Sequence, residues 1–382
     1  MTLFQHTGGD PRVASAQLAD VLAWYGAVGD AAFGNAPDFG ARKASLAVAL
    51  ASIERELLPE EYSATYFGGL LHAVGTIGNR AYAKGQELDE RTARTYRWDI
   101  PAEGGRLCAQ IETLPEATED LVRWQSECWD GTGYPDQLRW HGIPKNAQYL
   151  AIADFFLRSG DPEETLGSIG MLSGRAFGPE LVRTFVTWFH MNGGEAQMLP
   201  GPVDALDAEK TAPASLLDRI ADAVDRHNGV PGRWRRIETL ALSTAQILKC
   251  DSAAQQALAL AARFFGTGEV STRHAEDSQF DPLSRLGIDS RAENAERASR
   301  LIAGMPTFQE ARGIIAARAE WYDGTGKPQG LRHGKIPAGA NILAAAIAYE
   351  RLDRRERLDT AAGTQFDPLV VRALLASAKA RA

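Results

Sequence analysis

Apolar residues recur at three- and four-residue spacing through most of the chain, the period of helices that each bury one face. The pattern predicts helices over 14–29, 41–57, 63–74, 116–126, 145–158 and 178–191, and again over 214–226, 236–248, 253–265, 307–319, 338–351 and 367–380. Strict alternation, the signature of a half-buried strand, is nearly absent. Gly/Pro punctuation falls between the periodic segments, at 130–136, 193–202, 228–232 and 323–330. The expected fold class is all-α.

Two of these breaks are nearly the same sequence. WDGTGYPDQLRWHGIP (129–144) and YDGTGKPQGLRHGKIP (322–337) are identical at nine of sixteen positions, at a constant offset of 193. Upstream, LLHAVGTIG (70–78) answers AARFFGTGE (261–269); downstream, FGPELVRTF (177–185) answers FDPLVVRAL (366–374). Three landmarks in one order imply an internal duplication of a helical domain. The expected boundaries are a first domain at 14–195, a linker at 196–213 rich in Gly, Pro and acidic residues, and a second domain at 214–382.

Composition narrows the class of function. Lys and Arg total 41 against 49 Asp and Glu, a net charge of −8, which argues against broad nucleic-acid binding. Three cysteines, none in a CxxC pair, argue against a disulfide framework or a structural zinc site and suit a reducing compartment. No apolar run approaches the roughly 18 residues of a membrane span, and no secretion signal opens the chain. A cytoplasmic protein is expected.

On turn chemistry alone, Asp130-Gly131-Thr132-Gly133-Tyr134-Pro135 is a rigid connector. Asp caps the turn, Gly supplies positive φ and Pro fixes the exit. The order LLHxxG, ExWDGTGYPxxL, IP, IAD and FxPELV, however, resembles the HD-GYP domain, a subgroup of the HD-superfamily metal-dependent phosphohydrolases. The resemblance is clear over 41–190 and weaker over 232–382. It implies the helical HD fold and, in the family, a cluster of iron or manganese ions that hydrolyses cyclic di-GMP.

Few of the family's ligand positions keep a ligand residue in this chain. In the first copy His72 and Asp154 match, but Ala73 follows His72, Gln125-Ser126 replace a His pair, and no other His lies between 73 and 140. In the second copy Arg263-Phe264, Arg318-Ala319 and Ile347 stand at ligand positions. Two ligands cannot hold a multi-metal cluster, and arginine carries the wrong charge sign. The resemblance therefore implies a degenerate signalling module of a bacterial cyclic di-GMP pathway, with no cofactor. The relic pocket comprises His72, Asp154 and Glu127, with His72 and Asp154 expected to hydrogen-bond each other. If a metal is held, these two hold it, as iron or manganese.

The expected binding residues are Asp130, Gly131, Gly133, Tyr134, Pro135 and Arg139 in the first copy and Asp323, Lys327 and Arg332 in the second. By resemblance, a GGDEF-domain protein is the partner of the turn. The basic residues Arg139, His141, Arg263, Arg318, Lys327, Arg332, His333 and Lys335 suggest a surface for an anionic nucleotide, against the plainer expectation of solvated ion pairs. Two alternatives stay open: an active phosphodiesterase using His72, Asp154, Asp99 and Glu127, and a cyclic-dinucleotide sensor that does not hydrolyse its ligand.

Overall fold

The computed structural model describes residues 11–78, 90–272, 290–351 and 356–380. No β-strand forms among them; the only ladder contacts are the bridges Ser173–Phe177 and Ala362–Phe366. The chain divides into two compact units, with the boundary between Leu216 and Leu217.

The first unit is built from α1 (Pro11–Phe33), α2 (Phe39–Glu54), α3 (Pro59–Leu70), the single turn α4 (Gly75–Gly78), α5 (Glu90–Cys108), α6 (Ala117–Trp124), α7 (Lys145–Arg158), α8 (Pro162–Met171) and α9 (Pro179–Asn192). Each predicted segment falls on one of these helices. The pattern missed α5, α8 and the single turn α4. Helix α5 carries Pro101, Gly104 and Gly105 inside it. Its glycine pair permits a close pass against α6, where a Cβ on Gly105 would lie 2.9 Å from the Glu119 carbonyl oxygen, while Gly75 lets α4 approach α5, a Cβ there lying 2.0 Å from the Ile100 carbonyl oxygen. Helix α8 starts where Asp161 accepts a hydrogen bond from Glu164 N, with Pro162 in its first turn.

The core of this unit joins Leu46, Leu50, Leu121, Leu150, Ile152 and Phe185, each at most 3% exposed. Phe156, Phe185, Trp188 and Phe189 meet mostly edge-on or tilted in it, at 5.2–6.3 Å between rings.

Residues 196–213, expected as a linker, lie along the first unit instead. Leu199 N donates to Ser45 Oγ (3.0 Å), Tyr62 Oη to the Pro200 carbonyl (3.1 Å) and Ser15 Oγ to the Leu206 carbonyl (2.8 Å). Asp207 N donates to Thr113 Oγ1 (2.6 Å), and Thr113 N donates to Thr211 Oγ1 (3.1 Å). Gly/Pro-rich composition predicted the irregular backbone, and it could not reveal that side chains of α1, α2 and α3 would satisfy it.

The second unit follows with α10 (Pro213–His227), α11 (Arg233–Ile247), α12 (Ser252–Phe264), α13 (Ser290–Leu301), α14 (Gln309–Ala316), α15 (Ala338–Arg351), α16 (Glu356–Thr360) and α17 (Pro368–Lys379). Here the pattern missed the polar α13 and the short α16. The cluster RWRR (233–236) opens α11, and each of its three arginines meets a carboxylate. Arg233 is buried and donates to Glu269, Arg235 pairs with Asp222, and Arg236 pairs with Glu350.

Candidate functional site

Both DGTG turns are held by one device. Asp130 Oδ1 accepts from Thr132 N (3.0 Å) and Thr132 Oγ1 (2.6 Å); Asp323 Oδ1 does the same for Thr325 (2.9 and 2.7 Å). Gly131 and Gly324 take positive φ (80° and 84°), and the side chains of Arg139 and Arg332 lie across them. The Tyr134–Pro135 and Lys327–Pro328 bonds are both cis. Beneath each turn a buried glutamate closes the loop. Glu127 accepts from Asp136 N (2.7 Å) and Leu138 N (3.0 Å), and Glu320 accepts from Gln329 N (2.6 Å) and Leu331 N (2.9 Å). The backbone anchors match as well. Asp130 N donates to the Arg175 carbonyl and Asp323 N to the Thr364 carbonyl, both at 2.9 Å.

The turn of the first unit borders a cleft of about 640 Å³ whose floor holds Lys43, His72, Gln125 and Asp154, with Tyr134 and Arg158 among its other walls. Tyr134 stacks on Trp98 at 5.7 Å, and Trp98 keeps 39% of its surface exposed. Arg139 is exposed outside the cleft, and Trp140 beside it is 58% exposed.

The structure brings His72 and Asp154 to one cleft, each with partners other than the expected one. Lys43, only 2% exposed, donates to Asp154 Oδ1 (3.0 Å) and to Gln125 Oε1 (2.5 Å). Gln125 Nε2 in turn donates to the carbonyls of His72 and Val122. Asp154 also accepts from Arg158 Nε (2.6 Å), whose Nη1 reaches Asn35. His72 Nδ1 faces the Gly69 carbonyl at 3.1 Å, while Nε2 lies 3.4 Å from Asn35 Nδ2 and 3.6 Å from Asp30 Oδ1. A carbonyl can only accept, so the proton sits on Nδ1 and Nε2 accepts from Asn35.

Electrostatics fit that network. Burial, and then the nearby Lys43, hold His72 well below its ordinary pKa, so the ring is neutral. Burial works against ionisation of Asp154, but Lys43 and Arg158 overcome it and its pKa is lowered. Asp30, capping α2 through Gly40 N at 2.8 Å, is pushed by burial from 3.8 to about 7. The folded chain therefore holds a proton on Asp30 across a range where the unfolded chain has released it. Asp30 supports the fold fully below about pH 4, and that support is lost as pH rises through about 7. Urea midpoints measured from pH 4 to 8 should fall with pH in the wild type relative to Asp30→Asn; parallel profiles would refute this.

Three further expectations are corrected. Asp99 is exposed and does not line the cleft, unlike its neighbour Ile100. Glu127 reaches the cleft but spends its carboxylate on the turn backbone. Arg263 is no part of a basic surface: it is buried, donating to Asp218 (2.7 Å) and Glu238 (2.5 Å) and lying over Trp234. Arg318 is likewise buried, while His141 and His333 pack edge-on against Trp129 and Tyr322. Cys128 is half-exposed, while Cys108 is buried, which pushes its thiol up to about 12.

Sequence reasoning did not single out Lys43, Asp30, Asn35 or Arg158. Lys43 carried a signal, since it falls on the apolar stripe of α2, four residues after Phe39 and three before Leu46.

A metal cluster does not fit this donor set. The cation between Asp154 and Gln125 is the Lys43 ammonium, and His72 meets a backbone carbonyl with its protonated nitrogen. Among the described residues no group of three or more His, Cys, Asp or Glu is placed to hold a metal ion.

The HD domain family matches residues 218–369, the half read as the weaker copy. The crystal structure of a cyclic GMP-AMP specific phosphodiesterase in V. cholerae is similar in fold, at a TM-score of 0.64 and 18% identity over 95% of this chain and 97% of that one. No curated protein sequence matches. Among the described residues no helix is long and apolar enough to cross a membrane.

Proposed function

We propose that this chain is a cytoplasmic signalling module of the HD-GYP type, built from two duplicated helical domains, that binds a protein or cyclic nucleotide without hydrolysing it. The observation that carries this reading is the Lys43 ammonium, seated 3.0 Å from Asp154 and 2.5 Å from Gln125, two positions the family would give to its metal centre. A fixed positive charge there repels a divalent ion and already neutralises Asp154. The matching Asp, Gly and Glu contacts of the two turns support the duplication.

The DGTG turn of the first domain is the recognition surface in this reading, with a GGDEF-type domain as partner. Asp130, Gly131, Gly133 and Pro135 set its shape, and Tyr134 and Arg139 offer an aromatic ring and a guanidinium. Trp98 stacks on Tyr134, adding a second aromatic ring, a common make-up of contact sites. Asp323, Lys327 and Arg332 form the second domain's counterpart.

A second reading, an active cyclic-dinucleotide phosphodiesterase, draws on the fold likeness to the V. cholerae enzyme over nearly the whole chain. Metal analysis of protein purified without chelator separates the two, together with hydrolysis assays on cyclic GMP-AMP and cyclic di-GMP in added iron or manganese. The expected outcome is substoichiometric metal and no turnover above that of buffer. Stoichiometric metal with turnover lost in His72→Ala would establish the enzyme instead.

A further inference from the structure

Most polar groups of the first unit's cleft are spent on the protein itself. Glu127 accepts from the turn backbone, His72 is set by Gly69 and Asn35, and Gln125 is engaged at both ends of its amide. Lys43 is only 2% exposed, out of reach of a solute. Two charged side chains of the lining stay reachable: Asp154 keeps 26% of its side chain exposed and Arg158 keeps 38%.

These two form a fixed pair. Arg158 Nε lies 2.6 Å from Asp154 Oδ2 and Nη2 lies 3.2 Å from Oδ1, while Nη1 reaches Asn35 at 2.9 Å. The guanidinium carbon sits 4.7 Å from the centre of the Phe39 ring, which orients its plane. Both members keep hydrogen-bonding capacity. A carboxylate offers about four lone-pair sites and a guanidinium about five N–H groups. The contacts above, with the one from Lys43 to Asp154, use three of each. An acceptor and donors therefore stand side by side at the floor of the cleft.

The walls suit a flat ring. Phe33, Ile100, Pro101, Tyr134 and Phe155 line the cleft, and the rings of Phe33, Tyr134 and Phe155 are all partly exposed. Trp98 stacks on Tyr134 with 18° between the planes, which holds the tyrosine ring in place. The volume of about 640 Å³ falls within the range usual for small-molecule sites. Bases outside a duplex are recognised by this combination, an aromatic side chain against the face and hydrogen bonds along one edge.

We propose that the first unit's cleft binds a planar nitrogen heterocycle of the nucleobase type, with its donor–acceptor edge on Asp154 and Arg158 and one face on Tyr134. This puts a ring edge where the family would place its metal centre, and it rests on the metal-free reading of that cleft.

Calorimetry on the full-length protein, purified without chelator and assayed for metal on the same sample, tests it. Adenosine and guanosine are titrated separately, and saturable one-to-one binding of at least one is expected. Methylation of the bound nucleoside on its donor–acceptor edge should weaken binding by about tenfold or more, the scale of one charge-assisted hydrogen bond. Tyr134→Ala should cost about tenfold through the lost stacking. Arg183→Gln, on the exposed face of α9, should leave binding unchanged. Tighter binding of the corresponding monophosphate marks a nucleotide as the source of the ring, and the reverse order marks a nucleoside. Binding of neither nucleoside to metal-free protein, or equal affinity for the edge-methylated form, overturns this inference and leaves the metal-free reading standing. Stoichiometric metal in the same sample overturns both.

Discussion

Replacing Lys43 by methionine is expected to destabilise the first domain by about 3 kcal/mol, the low end of the cost of breaking a buried ion pair from one side. The low end applies because Asp154 keeps its second partner Arg158 and 26% of its side-chain surface exposed. Gln125 Oε1 also loses its donor, while methionine preserves most of the packing volume. The companion variant Lys43→Met/Asp154→Leu should recover much of the loss, because replacing both charges removes the uncompensated one. Urea denaturation of the two variants and of Asp154→Leu completes the cycle. Additive losses, with no coupling between the two sites, would show that the lysine is not what neutralises Asp154.

The second large effect is expected at the turn. Glu127→Ala removes the acceptor of two part-buried amides, those of Asp136 and Leu138, by deleting a carboxylate on a side chain that is 3% exposed. Hydrogen bonds to a charged group contribute about 1.5–3 kcal/mol each, so a loss of about 3–4 kcal/mol follows. Glu127→Gln, which keeps one carbonyl acceptor, should lie between. Glu320→Ala should repeat the effect in the second domain through Gln329 and Leu331. In a chain of two units a single melting midpoint blurs such effects. Amide hydrogen exchange at Asp136 and Leu138 is the sharper readout, and unchanged protection there in Glu127→Ala would contradict the assignment.

Helix periodicity was enough to place twelve of the helices, because burial of one face is what the 3.6-residue pattern records. It failed at α5, where Pro101 and the Gly104–Gly105 pair look like a break but serve a close helix crossing, and at α13, whose buried stripe mixes Asn294 and Ser299 with Ala295, Ala298 and Leu301. In the cleft, His72, Gln125 and Asp154 could be found because a family pattern points at those positions. Lys43 and Asp30 belong to no such pattern. Their signal was weaker: one charged residue each inside an apolar helix face, at a place where an unpaired charge could not remain. What no one-dimensional pattern could supply was the partner, since Lys43 and Asp154 stand 111 residues apart. The basic residues failed in the opposite direction. Arg263 and Arg318 read as surface charge by type, yet both are buried, and for Arg263 the reason is two carboxylates on α10 and α11.

The strand of chain from Leu199 to Thr211 has a practical meaning for anyone dividing this protein. Its hydrogen bonds to Ser15, Ser45, Tyr62 and Thr113 make it the outer wrapping of the first domain rather than a tether. A fragment ended at residue 195 would strip that wrapping and lay bare the side of Tyr66 that now faces Gly201. One carried on to Ala212 keeps every one of these contacts, so the seam for excision or domain exchange lies at the threshold of α10.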